Sequence, residues 1–348
     1  MQKWCKYFAS RGHEVHVISF TEGDCRGASV HYLKSSITNS KKDTFQKIEF
    51  LFHGKQIKTL IKEIDPDIIH AHRIPSYGGA CAIGNIHPFF LSVWGGDVYT
   101  FPNKSIIHRE LVKYVLRKAD VLMSTSRAMA QEANKYTSRD FLITPFGVDC
   151  SLFSPDKRKR DDNKYVVGNI KSLEKAYGIQ YLIEAVAIVR KLRPDINIEL
   201  RIAGKGKHEN DFKQLADNLG ITPFTHFLGF LPQEQVAEEW ANMDVAVITS
   251  ENESFGVSAV EAQACQIPVV ISEIPGLMEA TDVGKSSLLA GMKDSNKVAE
   301  QIIYLYDHPA ERKIIDISGR EFVLQHYEYN ACFSNIESLY SDYLKRKH

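Results

Sequence analysis

The chain has 348 residues, 44% of them hydrophobic and 25% charged, so it is globular and long enough for two domains with separate cores. Lys plus Arg and Asp plus Glu number 43 each, and the zero formal net charge argues against nucleic acid as a partner, since such proteins carry a basic excess. No run reaches the ~18 apolar residues of a membrane span, and the amino-terminal residues lack a secretory core. Six scattered cysteines without a C-x-x-C pair suggest neither zinc nor disulfides. A cytoplasmic protein with reduced thiols is expected.

In chain order, Trp4, Tyr7 and Phe8 form an apolar helical face closed by Gly12, and a strand follows at Glu14–Phe20. The chain is therefore expected to begin inside a βαβ crossover, without the strand that would precede it. Helical patterns over Thr44–Ile64, Ser105–Lys118 and Arg127–Tyr136 alternate with strand patterns at Asp67–Ala71, Phe89–Trp94, Val121–Ser124 and Phe141–Thr144. Such alternation predicts a parallel sheet with helices on both faces. The charged run Lys157-Arg-Lys-Arg-Asp-Asp162 reads as a linker. Its basic residues are either simply solvated or a contact for a membrane surface or an anionic substrate.

The second half repeats the alternation. Strands are predicted at Tyr165–Ile170, Ile196–Ala203, around His226–Gly229, at Asp244–Ile248 and at Val269–Ile271, with helices at Tyr181–Leu192, Phe212–Leu219 and Gln233–Ala241. Three helices close the chain, Val298–Tyr306, Ala310–Gln325 and Cys332–Lys345. The expected fold is α/β: two doubly wound Rossmann-like domains, 1–157 and 158–325, with 326–348 as a final helix. Ligands of such sheets lie beyond the carboxyl ends of the strands, which predicts a site in the cleft where the two domains face each other.

Residues 251–270 carry the most chemistry. An apolar strand ends at Ser250, Glu253 follows in a loop, and from Phe255 the pattern turns helical until Pro268. The backbone N–H groups of Phe255, Gly256 and Val257 are expected to point out of this helix start, where the peptide dipoles favour an anion. Glu261, a turn or more into the helix, can accept hydrogen bonds from ligand hydroxyls. From spacing alone, an ordinary βαβ unit bearing solvated glutamates is the commoner explanation.

This string resembles the E-x7-E donor segment of the family 4, or group 1, glycosyltransferases, read here as Glu253-Ser-Phe-Gly256 through Glu261 to Pro268-Val-Val270. The likeness continues in Arg11-Gly-His-Glu-Val-His-Val17 and Pro145-Phe-Gly-Val-Asp149, and covers nearly the whole chain. It implies a GT-B fold and transfer of a sugar from a nucleoside diphosphate to an acceptor hydroxyl, with retention at the anomeric carbon and no cofactor or metal. Gly168-Asn-Ile-Lys171 and Leu173-Glu-Lys-Ala-Tyr-Gly178 stand where the family places two diphosphate-binding cations. Lys171 matches the first; Tyr177 replaces the second, and Lys175 is displaced by two positions. Gly204-Lys-Gly206 matches a turn under the nucleotide, and Phe230 follows a segment whose backbone contacts the base.

By the same resemblance, Glu253 holds sugar hydroxyls and Glu261 the ribose. On the acceptor side, Trp94 stands where many members carry His. Asp97 is then the nearest carboxylate able to orient or deprotonate an acceptor hydroxyl, or else a helix cap. His70 and His72 close a strand on the same side. The implied partners are a nucleotide-sugar donor and a glycan or lipid-linked glycan acceptor, with peripheral membrane contact and a role in envelope polysaccharide synthesis. Two other readings stay open: a nucleotide-sugar epimerase on the same architecture, and a catalytically impaired partner subunit.

Overall fold

The computed structural model describes residues 2–33, 53–159 and 163–347. The first part of the helical pattern expected from Thr44, and the Arg160-Asp-Asp162 end of the charged run, lie outside the described residues. Two compact units result: Met1–Phe146 with Asn330–His348, and Gly147–Tyr329.

In the first unit, a helix Gln2–Ser10 buries Cys5, Tyr7 and Phe8. Strands β1 (His16–Ser19) and β2 (Ser29–Tyr32) pair in parallel, and β3 (His70–His72), β4 (Phe90–Ser92), β5 (Val121–Ser124) and β6 (Leu142–Ile143) form a second parallel sheet in that order. Helices start where hydroxyl caps meet their free amides: Ser105 accepts from His108 N–H before Ile106–Lys118, and Ser126 from Met129 N–H before Arg127–Ala133. The last helix, Tyr329–Lys347, completes the unit with aromatics. Tyr340 lies 5.1 Å from Phe90, and Phe333 lies 5.1 Å from Trp4 and 5.3 Å from Tyr7.

The second unit is a six-stranded parallel sheet in the order β12-β11-β10-β7-β8-β9. Its strands are β7 (Tyr165–Ile170), β8 (Ile198–Ala203), β9 (Thr225–Gly229), β10 (Val245–Ile248), β11 (Val269–Ser272) and β12 (Ser287–Ala290). Alternate side chains of one strand enter different cores: Val167, Val245 and Val247 on one face, Val166, Ala246 and Ile248 on the other. Both faces are thus buried, which is why β10 reads as a continuous apolar run rather than an alternating one. Burying one such Val or Ile contributes roughly 1.5–3 kcal/mol.

The chain passes between the units at 146/147 and 329/330. Val148 N–H donates to Tyr327 O at 2.8 Å, Tyr329 N–H returns to Val148 O at 3.1 Å, and Arg320 binds the Phe153 carbonyl at 3.1 Å. These bonds fasten the segment ahead of the charged run to the second unit. Strands β2 and β12 are absent from the sequence reading, because Ser-Val-His-Tyr and Ser-Leu-Leu-Ala are short and carry little β-branched character. Among the described residues no helix is long and apolar enough to cross a membrane.

Candidate functional site

The carboxyl ends of β7, β8 and β10 gather the candidate residues of the second unit. Lys171 directly follows β7 and is held by its backbone N–H on Ala203 O at 2.9 Å. Its ammonium forms an ion pair with Glu253, and both side chains are largely withdrawn from solvent. The same Nζ stands 4.7 Å from the centre of the Tyr177 ring. Tyr177, a departure from the expected second cation when read in sequence, therefore supplies a cation–π wall for the first. Lys175 does not join this pair. It is 64% exposed on its side chain and reaches Asp211 at 3.7 Å.

The Glu253 loop is tied down on several sides. Glu251 N–H donates to Ala176 O at 2.9 Å, and the Thr249 hydroxyl donates to Gly178 O at 2.8 Å. Glu251 itself accepts from Tyr181 Oη at 3.0 Å, and its bond with Lys293 Nζ at 2.9 Å holds that carboxyl below its ordinary range. Beneath the loop lies Gly276, where a Cβ would stand 2.0 Å from the Glu253 carbonyl oxygen. Gly204 is under the same constraint: its φ is +135°, and a Cβ there would meet the Lys171 carbonyl oxygen at 1.9 Å. Gly204 N–H also donates to Gly229 O at 2.7 Å, bringing the ends of β8 and β9 together just before Phe230, which is 69% exposed.

The helix after Glu253 runs Val257–Ala264, with Gly256 as N-cap in the left-handed region, φ 80°. It thus starts two residues later than the expected start at Phe255. The physical reason is the left-handed backbone of Gly256, which an α-helix cannot include; Phe255 ahead of it is buried in the core, edge-on to Tyr327 at 5.0 Å. Ala259 and Val260 N–H return to Gly256 O, leaving the Val257 and Ser258 amides as the first without an intrahelical acceptor. The Ser258 hydroxyl donates to Ile170 O at 3.0 Å and fixes this helix start beside the residue that precedes Lys171. Glu261 is half-buried in the second turn. Two passages of the chain thereby bring a cation, a carboxylate and a helix amino terminus together.

In the first unit, Asp97 is 0% exposed. It occupies the third position of the helix Gly95–Tyr99, and its Oδ2 accepts Ile74 N–H at 2.9 Å and Trp94 N–H at 3.1 Å. Burial raises its carboxyl to about 6, against these two bonds and the Arg73 guanidinium at 3.7 Å. The carboxylate therefore acts on the loop backbone around it. His70 donates or accepts at Ser92 Oγ, 2.8 Å away, and binds the Tyr340 hydroxyl. His72 stacks on His70 with 4.3 Å between ring centres, and burial pushes its imidazole down to about 3. All six cysteines are buried and none is in a disulfide, and among the described residues no three His, Cys, Asp or Glu side chains stand together as a metal-ligand set.

A family model described as glycosyl transferases group 1 matches residues 152–322, and one described as glycosyl transferase 4-like matches residues 1–126. N-acetyl-alpha-D-glucosaminyl L-malate synthase of Bacillus anthracis is 23% identical over 363 residues, spanning 98% of this chain and 92% of that protein. D-inositol 3-phosphate glycosyltransferase of an Arthrobacter species is 32% identical over 206 residues, 55% of this chain and 48% of that protein. Among solved structures, sucrose-phosphate synthase of Thermosynechococcus elongatus superposes with a TM-score of 0.86 at 18% identity, covering 99% of this chain and 92% of that one. HepE of Anabaena, in complex with UDP and glucose, gives 0.76 at 18% identity over 98% and 95% of the two chains. At these identities the structural likeness speaks to the fold.

Proposed function

Since the chain belongs to the glycosyl transferases group 1 family, with the GT-B fold, we propose that it moves a sugar from a nucleoside diphosphate to an acceptor hydroxyl with retention at the anomeric carbon. The observation that carries this reading is the meeting of Lys171, Glu253 and the amino terminus of the helix Val257–Ala264 within one unit. A departing diphosphate accumulates negative charge. The Lys171 ammonium and the outward amides of Val257 and Ser258 are fixed groups of the right sign to meet that charge as it develops. In this reading the protein supplies the positive charge itself, with no cofactor or metal.

The remaining donor-side roles are those the family resemblance implies, and they belong to the same proposal. Glu253, anchored by Lys171 and by the Gly276 contact, accepts from sugar hydroxyls and orients the anomeric carbon. Glu261 accepts from the ribose, and the exposed Phe230 borders the base. Lys175 is the second cation only if it leaves Asp211. On the acceptor side, Asp97 serves as a positioning residue that sets the loop of Ile74 and Trp94, because its own oxygens are covered. The acceptor proposed is a glycan or lipid-linked glycan of envelope polysaccharide synthesis.

HepE, similar in fold, is described with UDP and glucose, so uridine diphosphate sugars are the first donors to try. The purified chain is incubated with UDP-glucose and UDP-N-acetylglucosamine, and release of UDP is followed with and without simple glycoside acceptors. Expected is UDP release and UDP binding, both lost in Glu253→Gln combined with Lys171→Met. UDP binding that is unchanged in that double variant would overturn the site assignment.

A further inference from the structure

Ile106 and Ile107 are the most exposed large apolar residues of the described chain, 77% and 76%, and they are adjacent. They open the helix Ile106–Lys118, which buries Val112, Val115 and Leu116 on its opposite side. Ile106, Arg109, Lys113 and Arg117 recur at helical spacing and are all exposed, so one stripe of the helix carries them. With Lys104 and Lys118 the segment holds five cations against one carboxylate, Glu110, which pairs with Lys113 at 2.8 Å. The chain as a whole is neutral, so this is a local concentration of charge.

Helix stability does not account for the stripe. Arg117 and Lys118 suit the carboxyl end of the helix dipole, but Arg109 sits in the first turn, where a cation is disfavoured. Two β-branched residues at the first two helical positions gain nothing in propensity and, left in water, nothing from burial. Two side chains are also too little apolar area for a stable protein interface, which buries on the order of 1,200–2,000 Å². An apolar pair ringed by Lys and Arg fits a bilayer interface, with the isoleucines at the headgroup–acyl boundary and the cations among the phosphates.

We propose that the Lys104–Lys118 corner of the first unit docks on a membrane surface bearing anionic headgroups, through Ile106 and Ile107 and the cations Lys104, Arg109, Lys113 and Arg117. This placement does not depend on the donor chemistry. It also shifts the membrane contact away from the charged run at Lys157.

Sedimentation of the full chain with vesicles tests it, using phosphatidylcholine alone or mixed with phosphatidylglycerol at low and high salt. Expected is cosedimentation with the mixed vesicles, weakened by salt, by about fivefold for each of Arg109→Gln and Arg117→Gln, and by about tenfold for Ile106→Ser with Ile107→Ser. Circular dichroism should be unchanged in all of them, because every altered side chain is exposed. Equal binding to neutral vesicles, or isoleucine variants that bind as the parent does, would overturn the proposal. A dimer in sedimentation velocity that the isoleucine variants abolish, without vesicle binding, would assign the patch to a second copy and overturn it equally.

Discussion

Lys171 and Glu253, 82 residues apart, close an ion pair whose side chains are only 14% and 12% exposed. A pair this far withdrawn from water makes each partner depend on the other, since removing one leaves a poorly solvated charge. Lys171→Met should therefore cost about 1–3 kcal/mol of stability, and adding Glu253→Gln should return part of it. Thermal unfolding of the two singles and the double measures that coupling. Catalytically, Lys171→Met should lower kcat by about 10²–10³ if the cation meets charge developing on the leaving group. A variant within about twofold of the parent would remove Lys171 from that role.

Gly276→Ala probes the floor of the same loop. A Cβ 2.0 Å from the Glu253 carbonyl oxygen cannot be accommodated without moving that backbone. Overpacking of this kind costs roughly 1–3 kcal/mol. Because the displaced residue is Glu253, the donor KM should rise with the loss of stability. An alanine variant that is less stable yet binds UDP and donor as the parent does would show that the loop tolerates the shift.

The central part of the second unit was legible because its strands are buried on both faces and therefore apolar throughout. Tyr165–Ile170 and the helix Gln233–Ala241 match their sequence bounds, and the strand–Glu253–helix–strand order of 244–272 is as expected. Lys171 stands out through the family resemblance, which has a diphosphate-binding cation at its position; the residues alone read it as a lysine on a turn. Gly276 was not legible, since its contact with Glu253 is a through-space approach with no local pattern. Tyr177 looked like a loss because sequence gives its position and not the Lys171 ammonium over its ring. Asp97 reads in sequence as an acceptor-side carboxylate or else a helix cap, and its bond from Trp94 N–H is that cap; the Ile74 N–H, 23 residues away, has no local pattern and is legible only in the fold.

Asp97→Asn separates two roles for that residue. Its folded carboxyl, at about 6, lies above the unfolded 3.8, so the folded chain binds the proton first. The group thus penalises the fold in full above about pH 6, by about 3 kcal/mol, and ceases to do so below the unfolded value. Asparagine keeps an acceptor for the two amides and carries no charge. The variant should be at least as stable as the parent at pH 8, with that penalty gone, whereas Asp97→Ala should lose about 1–3 kcal/mol for each stranded amide. If Asp97 only sets the loop, Asp97→Asn keeps most of its turnover, while a loss of several orders of magnitude with the fold intact would make it a base.

His70 and His72 predict how the first unit meets acid. Both imidazoles are lowered by burial, His72 to about 3, whereas an unfolded histidine titrates at 6.5. The unfolded chain therefore binds these protons first, and the stability they contribute is present above pH 6.5 and lost as the pH falls below it. Each contributes up to about 1.4 kcal/mol per pH unit. Asp97 works in the opposite sense between about 6 and 3.8, so two losses face one gain and acid destabilises the unit. Trp4, 4.8 Å from His72, reports the transition, with Trp240→Phe removing the tryptophan of the second unit. Urea midpoints read from this fluorescence should fall from pH 7.5 to pH 5.5, and His72→Gln should make the fall shallower. A slope unchanged by His72→Gln would mean that the buried imidazole is not what acid attacks.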